Sequence, residues 1–350
     1  MAIVRTLTLA AISFVVSLAF TPFLTNFLYR HRAVFGKQIR EGSQTPLYSA
    51  LHKAKAGTPT MGGVLIWGST ILVTLFLWIL AKSDSFPLLE SLNFLDRGQT
   101  YLPLGMLLFA ALFGLLDDAL GVIKIGSGSG GGIKFRWKLL IYFVVAAVGG
   151  WWFFYKLEWD LLYVPFIGYF NIGIWYLPIF ISILLATIIS ANETDGLDGL
   201  LGGVALFALG SLAVVSFAQG RFHLAAFLAV IIGSLLAFLW FNIYPARFFM
   251  GDTGAITLGA TIGVVAMLTN SALFLPFFAF IFVLESASVI VQLFWKRVFG
   301  RKLFLSTPIH HHFEALGWPE PKVVMRFWII SAVVAGIGLV LYFASVNLTS

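Results

Sequence analysis

Apolar runs long enough to cross a bilayer recur along the whole chain, and this repetition constrains the fold more than any single motif. Hydropathy marks ten of them: Leu7 to Leu28, Met61 to Leu80, Tyr101 to Leu116, Leu139 to Tyr155, Ile174 to Ser190, Leu200 to Ala218, Phe222 to Phe241, Gly254 to Met267, Ala272 to Phe294 and Phe327 to Val346. A full crossing takes about 20 residues, so the third and eighth are short. The expected fold is an all-α polytopic membrane protein of about ten transmembrane helices, one integral-membrane domain over residues 1–350. The first run is too long for a signal-peptide core and lacks a basic n-region with a cleavage site, so it is expected to be a retained helix. At 60% hydrophobic and 11% charged residues the chain is no soluble domain. Its 36 Phe and 11 Trp suit lipid-facing and interfacial positions. Without cysteine, a disulfide framework, a thiolate nucleophile and a Cys-ligated zinc are all excluded.

Charge sets the expected orientation. With the N-terminus outside, only Arg5, Lys82, Arg97, Lys156 and Arg221 of the 22 Lys and Arg residues fall outside. The rest fall on the cytoplasmic side, so both termini are expected outside. The net charge of +7 is then mostly a cytoplasmic-face charge, suited to anionic lipid head groups and to phosphorylated substrates. The basic residues are dispersed over separate loops rather than gathered in one stripe, which argues against nucleic acid. The same topology brings Glu41, Asp117, Asp118, Glu193, Asp195, Asp198, Asp252, Glu314, His310, His311 and His312 to one face. A shared cytoplasmic-face cleft is expected there.

The organising stretch is Asn192-Glu193-Thr194-Asp195-Gly196-Leu197-Asp198-Gly199, set between two apolar runs. Carboxylates at a membrane edge are costly and tend to mark function, and the glycines allow a sharp turn and close approach to a ligand. The alternative is a solvated turn. Asp117-Asp118 closes the third run. Adjacent helical residues point about 100° apart, so the two cannot serve one ion equally. An acidic pair at a helix C-terminus also opposes the macrodipole. Phe249-Met250-Gly251-Asp252-Thr253-Gly254 opens the eighth run, where Asp252 or Thr253 can cap the helix, or the helix N-terminus can take a phosphate. A carboxylate there can hold Mg²⁺ against that phosphate, since Mg²⁺ takes one or two carboxylates plus substrate phosphates.

Three further stretches carry polar groups. In Pro308-Ile309-His310-His311-His312-Phe313-Glu314, consecutive histidines do not share a face, which makes a three-His zinc site a poor reading; the imidazoles can instead donate to phosphate. Lys55-Ala56-Gly57-Thr58-Pro59-Thr60-Met61-Gly62-Gly63 enters the second run and has the glycines of a close helix contact. Glu285, one helical face from Gln292, is the only carboxylate expected inside the hydrocarbon, as a packing residue or a functional one. The glycine-rich Gly126 to Gly132 looks like a flexible linker, because no Lys-Ser/Thr pair follows to make a P-loop.

Together these motifs resemble the bacterial phospho-N-acetylmuramoyl-pentapeptide transferases, in the polyprenyl-phosphate N-acetylhexosamine-1-phosphate transferase superfamily. The resemblance is carried by Gly57 to Gly63, Asp117-Asp118, Arg136-Trp137-Lys138, Thr194 to Gly199, Met250 to Gly254 and Pro308 to Glu314, and spans nearly the whole chain. The triple-His loop followed by Phe-Glu is similar to the muramoyl-pentapeptide branch in particular. The resemblance implies Mg²⁺-dependent transfer of phospho-MurNAc-pentapeptide from UDP-MurNAc-pentapeptide to undecaprenyl phosphate, giving lipid I and UMP. It also implies ten helices, a cytoplasmic cleft, a bacterial inner-membrane location and a homodimer. By position it makes Asp252 the main Mg²⁺ ligand, with Asp195, and makes Asp117 a base or lipid-phosphate contact supported by Asp118. The substrate-binding set would be Lys55, Thr60, Lys138, Asn192, Asp195, Asp198, Asn242, Phe249, Gln292, His310, His311 and His312, with Phe249 stacked on uracil. The chain departs from the family pattern at Ile189 and Glu193, where Asn and Leu are usual, and in its glycine-rich insert. Two alternatives stand beside this reading. One is a sibling transferase using UDP-GlcNAc. The other is an ion-coupled transporter, which needs ionisable groups near the midplane.

Overall fold

A computed structural model describes residues 1–31, 55, 57–82, 91–123 and 132–349. Helix α1 spans Ala2–Arg30, α2 Val64–Leu80, α3 Tyr101–Val122 and α4 Phe135–Lys156. A hairpin of β1 (Leu161–Val164) and β2 (Gly168–Asn171) follows. Then come α5 (Tyr176–Thr194), α6 (Leu200–Ala218), α7 (Phe222–Asn242) and α8 (Asp252–Leu268). The chain ends with the one-turn α9 (Leu275–Phe278), α10 (Phe280–Phe299), the short α11 (Ile309–Ala315) and α12 (Glu320–Thr349). Among the described residues, seven helices are long and apolar enough to cross a membrane, or eight when the bent pair Ala272–Phe278 and Phe280–Phe299 counts as one span. The chain is a helical multi-pass membrane protein. Arg32, Lys37, Arg40, Glu41, Lys53, Lys124 and the glycine-rich 126–131 lie outside the described residues.

Helix α8 is the axis of the bundle. It packs against α3 and α5 most extensively, and also against α6 and α2. Every residue from Thr253 to Leu268 is buried, as expected of a helix that is apolar all round. Its shortness follows: at 17 residues it is enclosed by protein rather than by lipid. Small residues let its neighbours come close. A Cβ on Gly259 would sit 2.6 Å from the Thr187 carbonyl oxygen, and one on Gly263 would sit 2.5 Å from Thr187 Oγ1. Without a hydrophobic drive between helices in lipid, such close packing and interhelical hydrogen bonds hold the bundle. The Ser13 hydroxyl illustrates the second kind, donating to the Val230 carbonyl at 2.7 Å and lying 2.7 Å from Ser234 Oγ, across α1 and α7.

The observed elements differ from the hydropathy reading in three places. Helix α3 continues through Asp117-Asp118 to Val122, and α5 includes Asn192, Glu193 and Thr194. Hydropathy stops at the first charge, whereas backbone hydrogen bonding does not, so the acidic pair lies within the helix and does not close it. The ninth run is not one helix: it bends by 88° at Ala279, which leaves helical conformation (φ −119°, ψ 41°). The fold is also not purely helical. Pro165 halts the chain after β1, and Phe166 (φ 63°) and Gly168 (φ 111°) make the turn that pairs β1 with β2 antiparallel.

Candidate active site

The carboxylate-bearing ends of α3, α5 and α8 meet because glycines permit it. Gly62 and Gly63 donate to the Phe249 and Met250 carbonyls at 2.7 and 2.8 Å, and Phe249 N donates back to Pro59 O at 2.8 Å. A Cβ on Gly63 would lie 2.4 Å from Gly254 Cα, and one on Gly114 would lie 2.5 Å from the Asp252 carbonyl oxygen. The stretch 59–63 is thus laid directly on 249–254. Gly251 turns the chain with φ +75°, where a Cβ would meet Asp118 Oδ2 at 2.6 Å and Thr60 Oγ1 at 2.8 Å. Thr60 is placed at that turn.

Asp118 caps α8 from another helix. The Asp252 N–H donates to its Oδ1 at 3.1 Å, and the Thr253 N–H donates to its Oδ2 at 3.0 Å. This corrects the expectation of a phosphate at the α8 N-terminus: a side-chain carboxylate already holds those donors. It also settles the capping question, since neither Asp252 nor Thr253 caps its own helix. Asp117 faces elsewhere, as the angular offset of neighbouring helical residues requires. Its Oδ1 accepts from Ile133 N at 2.8 Å, and its Oδ2 pairs with Lys138 Nζ. The same ammonium donates to Asp252 Oδ2 at 2.5 Å. Asn192 Nδ2 completes the group by donating to Asp252 Oδ1 at 2.8 Å. Thus α3, α4, α5 and α8 each contribute to one polar cluster, with Lys138 between two carboxylates. The Asp252 side chain is 22% exposed against 7% for Asp117, so Asp252 is the member open to an arriving ligand. Among the described residues, no three His, Cys, Asp or Glu side chains form a metal-holding group.

A second cluster lies at the start of α6. Lys55 Nζ donates to Asp198 Oδ1 at 2.6 Å and to Glu320 Oε1 at 2.5 Å. Burial pulls the Lys55 ammonium down, but the facing Glu320 and Asp198 carboxylates outweigh it and hold its pKa above the ordinary lysine value. Its Nζ lies 5.8 Å from the Phe249 ring centroid, on the ring's face. Asp198 also takes Ala246 N at 3.1 Å, and Asn242 is a brace, accepting Gly199 N at 3.0 Å and donating to Phe248 O at 2.9 Å. Glu320 further accepts the Asp198 N–H at 2.6 Å. Sequence reasoning missed Glu320. An acidic residue after Pro319 at the head of an apolar run reads as an ordinary first-turn helix residue, and nothing local ties it to Lys55.

The histidines point three ways, as their consecutive positions require. On α11, His310 is fully buried, with Nδ1 3.0 Å from Glu285 Oε2. His311 Nδ1 lies 2.6 Å from Glu314 Oε2, and His312 Nδ1 accepts from Leu305 N at 3.2 Å. Glu285, the carboxylate expected inside the hydrocarbon, therefore has a histidine beside it. Gln292 accepts from Leu303 N and Phe304 N at 3.0 Å each and donates to Phe304 O at 3.1 Å, which fixes the loop ahead of α11. This histidine group touches the 195–199 turn through Gly196, where a Cβ would fall 2.2 Å from His310 Nε2. Asp195, half-buried, is the C-cap residue of α5, immediately before that glycine. Glu193 accepts from Ser286 Oγ at 2.6 Å, joining α5 to α10.

The structure is thus a helical membrane bundle with acidic, basic and amide groups gathered at one end, and residues 100–270 match the family model for glycosyl transferase family 4, which makes the chain a membrane transferase. Residues 55–66, which include Lys55 and the 59–63 stretch, match phospho-N-acetylmuramoyl-pentapeptide-transferase signature 1. A phospho-N-acetylmuramoyl-pentapeptide-transferase of Chloroflexus aurantiacus is 37% identical over 96% of this chain and 89% of its own length. Those of Geobacillus thermodenitrificans and Clostridium novyi are 35% and 36% identical, over 94% and 93% of this chain and 95% and 94% of their own. The chain belongs to the phospho-N-acetylmuramoyl-pentapeptide-transferase family, and it is a membrane phosphotransferase.

Proposed function

We propose that this enzyme transfers phospho-MurNAc-pentapeptide from UDP-MurNAc-pentapeptide to undecaprenyl phosphate in a bacterial inner membrane, giving lipid I and UMP. The observation that carries the reading is the Lys138 ammonium held between Asp117 and Asp252. A lysine beside two carboxylates supplies charge of both signs, which suits a site that must hold a divalent cation and a phosphate together. The donors also fit Mg²⁺, which takes hard oxygen ligands and one or two carboxylates alongside substrate phosphates. Asp252 would hold the ion, with Asp195 from the end of α5. When bound, Mg²⁺ supplies charge neutralisation for two phosphorylated reactants.

The chain's own residues do the rest. Lys138 offers positive charge beside Asp117 and Asp252, and reaches an incoming phosphate by leaving either one. Asp117 takes the proton of the lipid phosphate or orients that phosphate. Asp118, committed to the α8 backbone, keeps Asp252 in position. Phe249 with Lys55 on its face offers a flat stacking surface and a cation for the uridine end of the donor. Asn192, Asp198 and Asn242 hold the walls of this cleft, and Thr60, Gln292, His310, His311 and His312 line or brace it. Residues 1–350 act as one integral-membrane domain, with both termini outside, as one half of a homodimer.

The test offers purified enzyme UDP-MurNAc-pentapeptide or UDP-GlcNAc, each with undecaprenyl phosphate and Mg²⁺, and follows UMP release. Release from the muramoyl donor and not from UDP-GlcNAc is the expected result. Turnover of UDP-GlcNAc alone would overturn the proposal in favour of the sibling transferase.

A further inference from the structure

Two of the helices that carry the carboxylate cluster, α4 and α8, end about 25–30 Å away at 1.5 Å per residue, beside a second cavity. It has a volume of about 670 Å³ and lies at the hairpin end, between the C-terminal ends of α4, α6, α8 and α12. That size is ordinary for a small-molecule site, roughly 300–1,000 Å³. Neither the family signature nor the proposed chemistry touches it.

Its polar groups are unmatched in a specific way. Arg221 projects from the α6–α7 turn, with its guanidinium 5.3 Å from the Trp159 ring centroid. Among the described residues no carboxylate forms an ion pair with it. Burial pulls its pKa below the ordinary arginine value, and the facing Tyr169 and Tyr342 only partly oppose that. An arginine so placed lacks an anion. Gln219 Nε2 donates to Thr269 O at 2.6 Å and to Tyr342 Oη at 2.9 Å, which fixes the amide's orientation. Its Oε1 is then buried with no partner. Glu158 and Asp160 also line the cavity, Glu158 exposed and in the left-handed region (φ 54°), Asp160 with one oxygen, Oδ2, accepting from Asn171 Nδ2 at 2.5 Å.

One molecule that answers these groups is a zwitterion, with an anion for Arg221 and an ammonium for Glu158 and Asp160. The surroundings place such a molecule at head-group depth. Trp151, Trp152 and Tyr155 are exposed at the same end of α4, and Trp175 precedes α5, as aromatic residues do at a membrane interface. Phe343 lines the cavity and is also exposed on α12, a helix whose surface carries Ile337, Val340 and Leu348 outward. We propose that this cavity binds the phosphoethanolamine head group of a membrane phospholipid in the leaflet opposite the carboxylate site, with its phosphate on Arg221 and its ammonium toward Glu158 and Asp160.

The test is native mass spectrometry of the delipidated full chain in detergent, titrated with phosphatidylethanolamine, phosphatidylglycerol or phosphatidylcholine. Phosphatidylethanolamine should bind at least tenfold more tightly than the other two. Arg221→Gln should lose about tenfold in that affinity, and Arg221→Lys should recover part of it. Glu158→Gln, at an exposed position, should fold normally and lose the preference over phosphatidylglycerol. Glycerophosphoethanolamine should compete where equal inorganic phosphate does not. Equal binding of all three lipids by the wild type, or unchanged selectivity in Glu158→Gln, would overturn the proposal. Competition by inorganic phosphate as strong as by glycerophosphoethanolamine would also overturn it, as the mark of a free-anion site.

Discussion

Asp118 gives both carboxylate oxygens to backbone N–H groups of α8, while Asp117, its neighbour in the chain, meets a lysine. The two positions should therefore fail differently. Asp118→Asn can accept only one of those two bonds, strands the other N–H at about 1–3 kcal/mol, and removes a charge worth roughly 0.3–1 kcal/mol at a helix N-terminus. A lower thermal midpoint in detergent, together with reduced UMP release, is the expected pair of results. Asp252→Ala should instead abolish UMP release and leave the melting transition within a few degrees of wild type. Full activity in Asp252→Ala would remove that residue from the chemistry. Lys55 gives a sign-defined pH dependence. Its folded pKa lies above the ordinary lysine value, so its contribution to stability is complete below about pH 10.4, the unfolded value. It is lost only as pH rises through the folded value. The difference in thermal midpoint between wild type and Lys55→Met should accordingly stay flat from pH 6 to 9. A gap that closes within that window would contradict the ion triad with Asp198 and Glu320.

Close approach between α2, α3 and α8 rests on glycine, and that is a prediction about elements. Gly63→Ala puts a methyl group 2.4 Å from Gly254 Cα, a backbone atom that cannot swing away. Overpacking of this kind costs about 1–3 kcal/mol or more, and α2 must move off α8. Gly105→Ala on α3 meets nothing within 4 Å and serves as the control. Loss of thermal stability in the first variant and none in the second is expected from parallel melts. Much of this was legible in the sequence. The apolar runs located the helices, and the Gly-Thr-Pro-Thr-Met-Gly-Gly stretch marked a close helix contact before any partner was known. What stayed hidden depends on distant residues. No local pattern distinguishes Asp118 as a cap for a helix more than 130 positions away, or links Glu320 to Lys55. The break at Ala279 was equally silent, because hydropathy records composition and not direction. The hairpin was missed as well, since two four-residue strands between apolar runs give too short a pattern to read.

At the level of the whole molecule, the helices run from a carboxylate end to a hairpin end. The chain has no cysteine, so single-cysteine substitutions report sidedness directly. Asn171→Cys in the hairpin should react with an impermeant maleimide added outside intact cells, and Lys302→Cys, near the histidine loop, only after the membrane is opened. Labelling of both from the same side would overturn the proposed orientation. Through the middle of the bundle passes α8, and Thr187 of α5 is wedged against both Gly259 and Gly263. A rod notched halfway along its length does not act as a piston. Sliding it past α5 would carry those two glycines off Thr187 and set bulkier neighbours against it, so the pillar of the bundle is pinned in register at its middle.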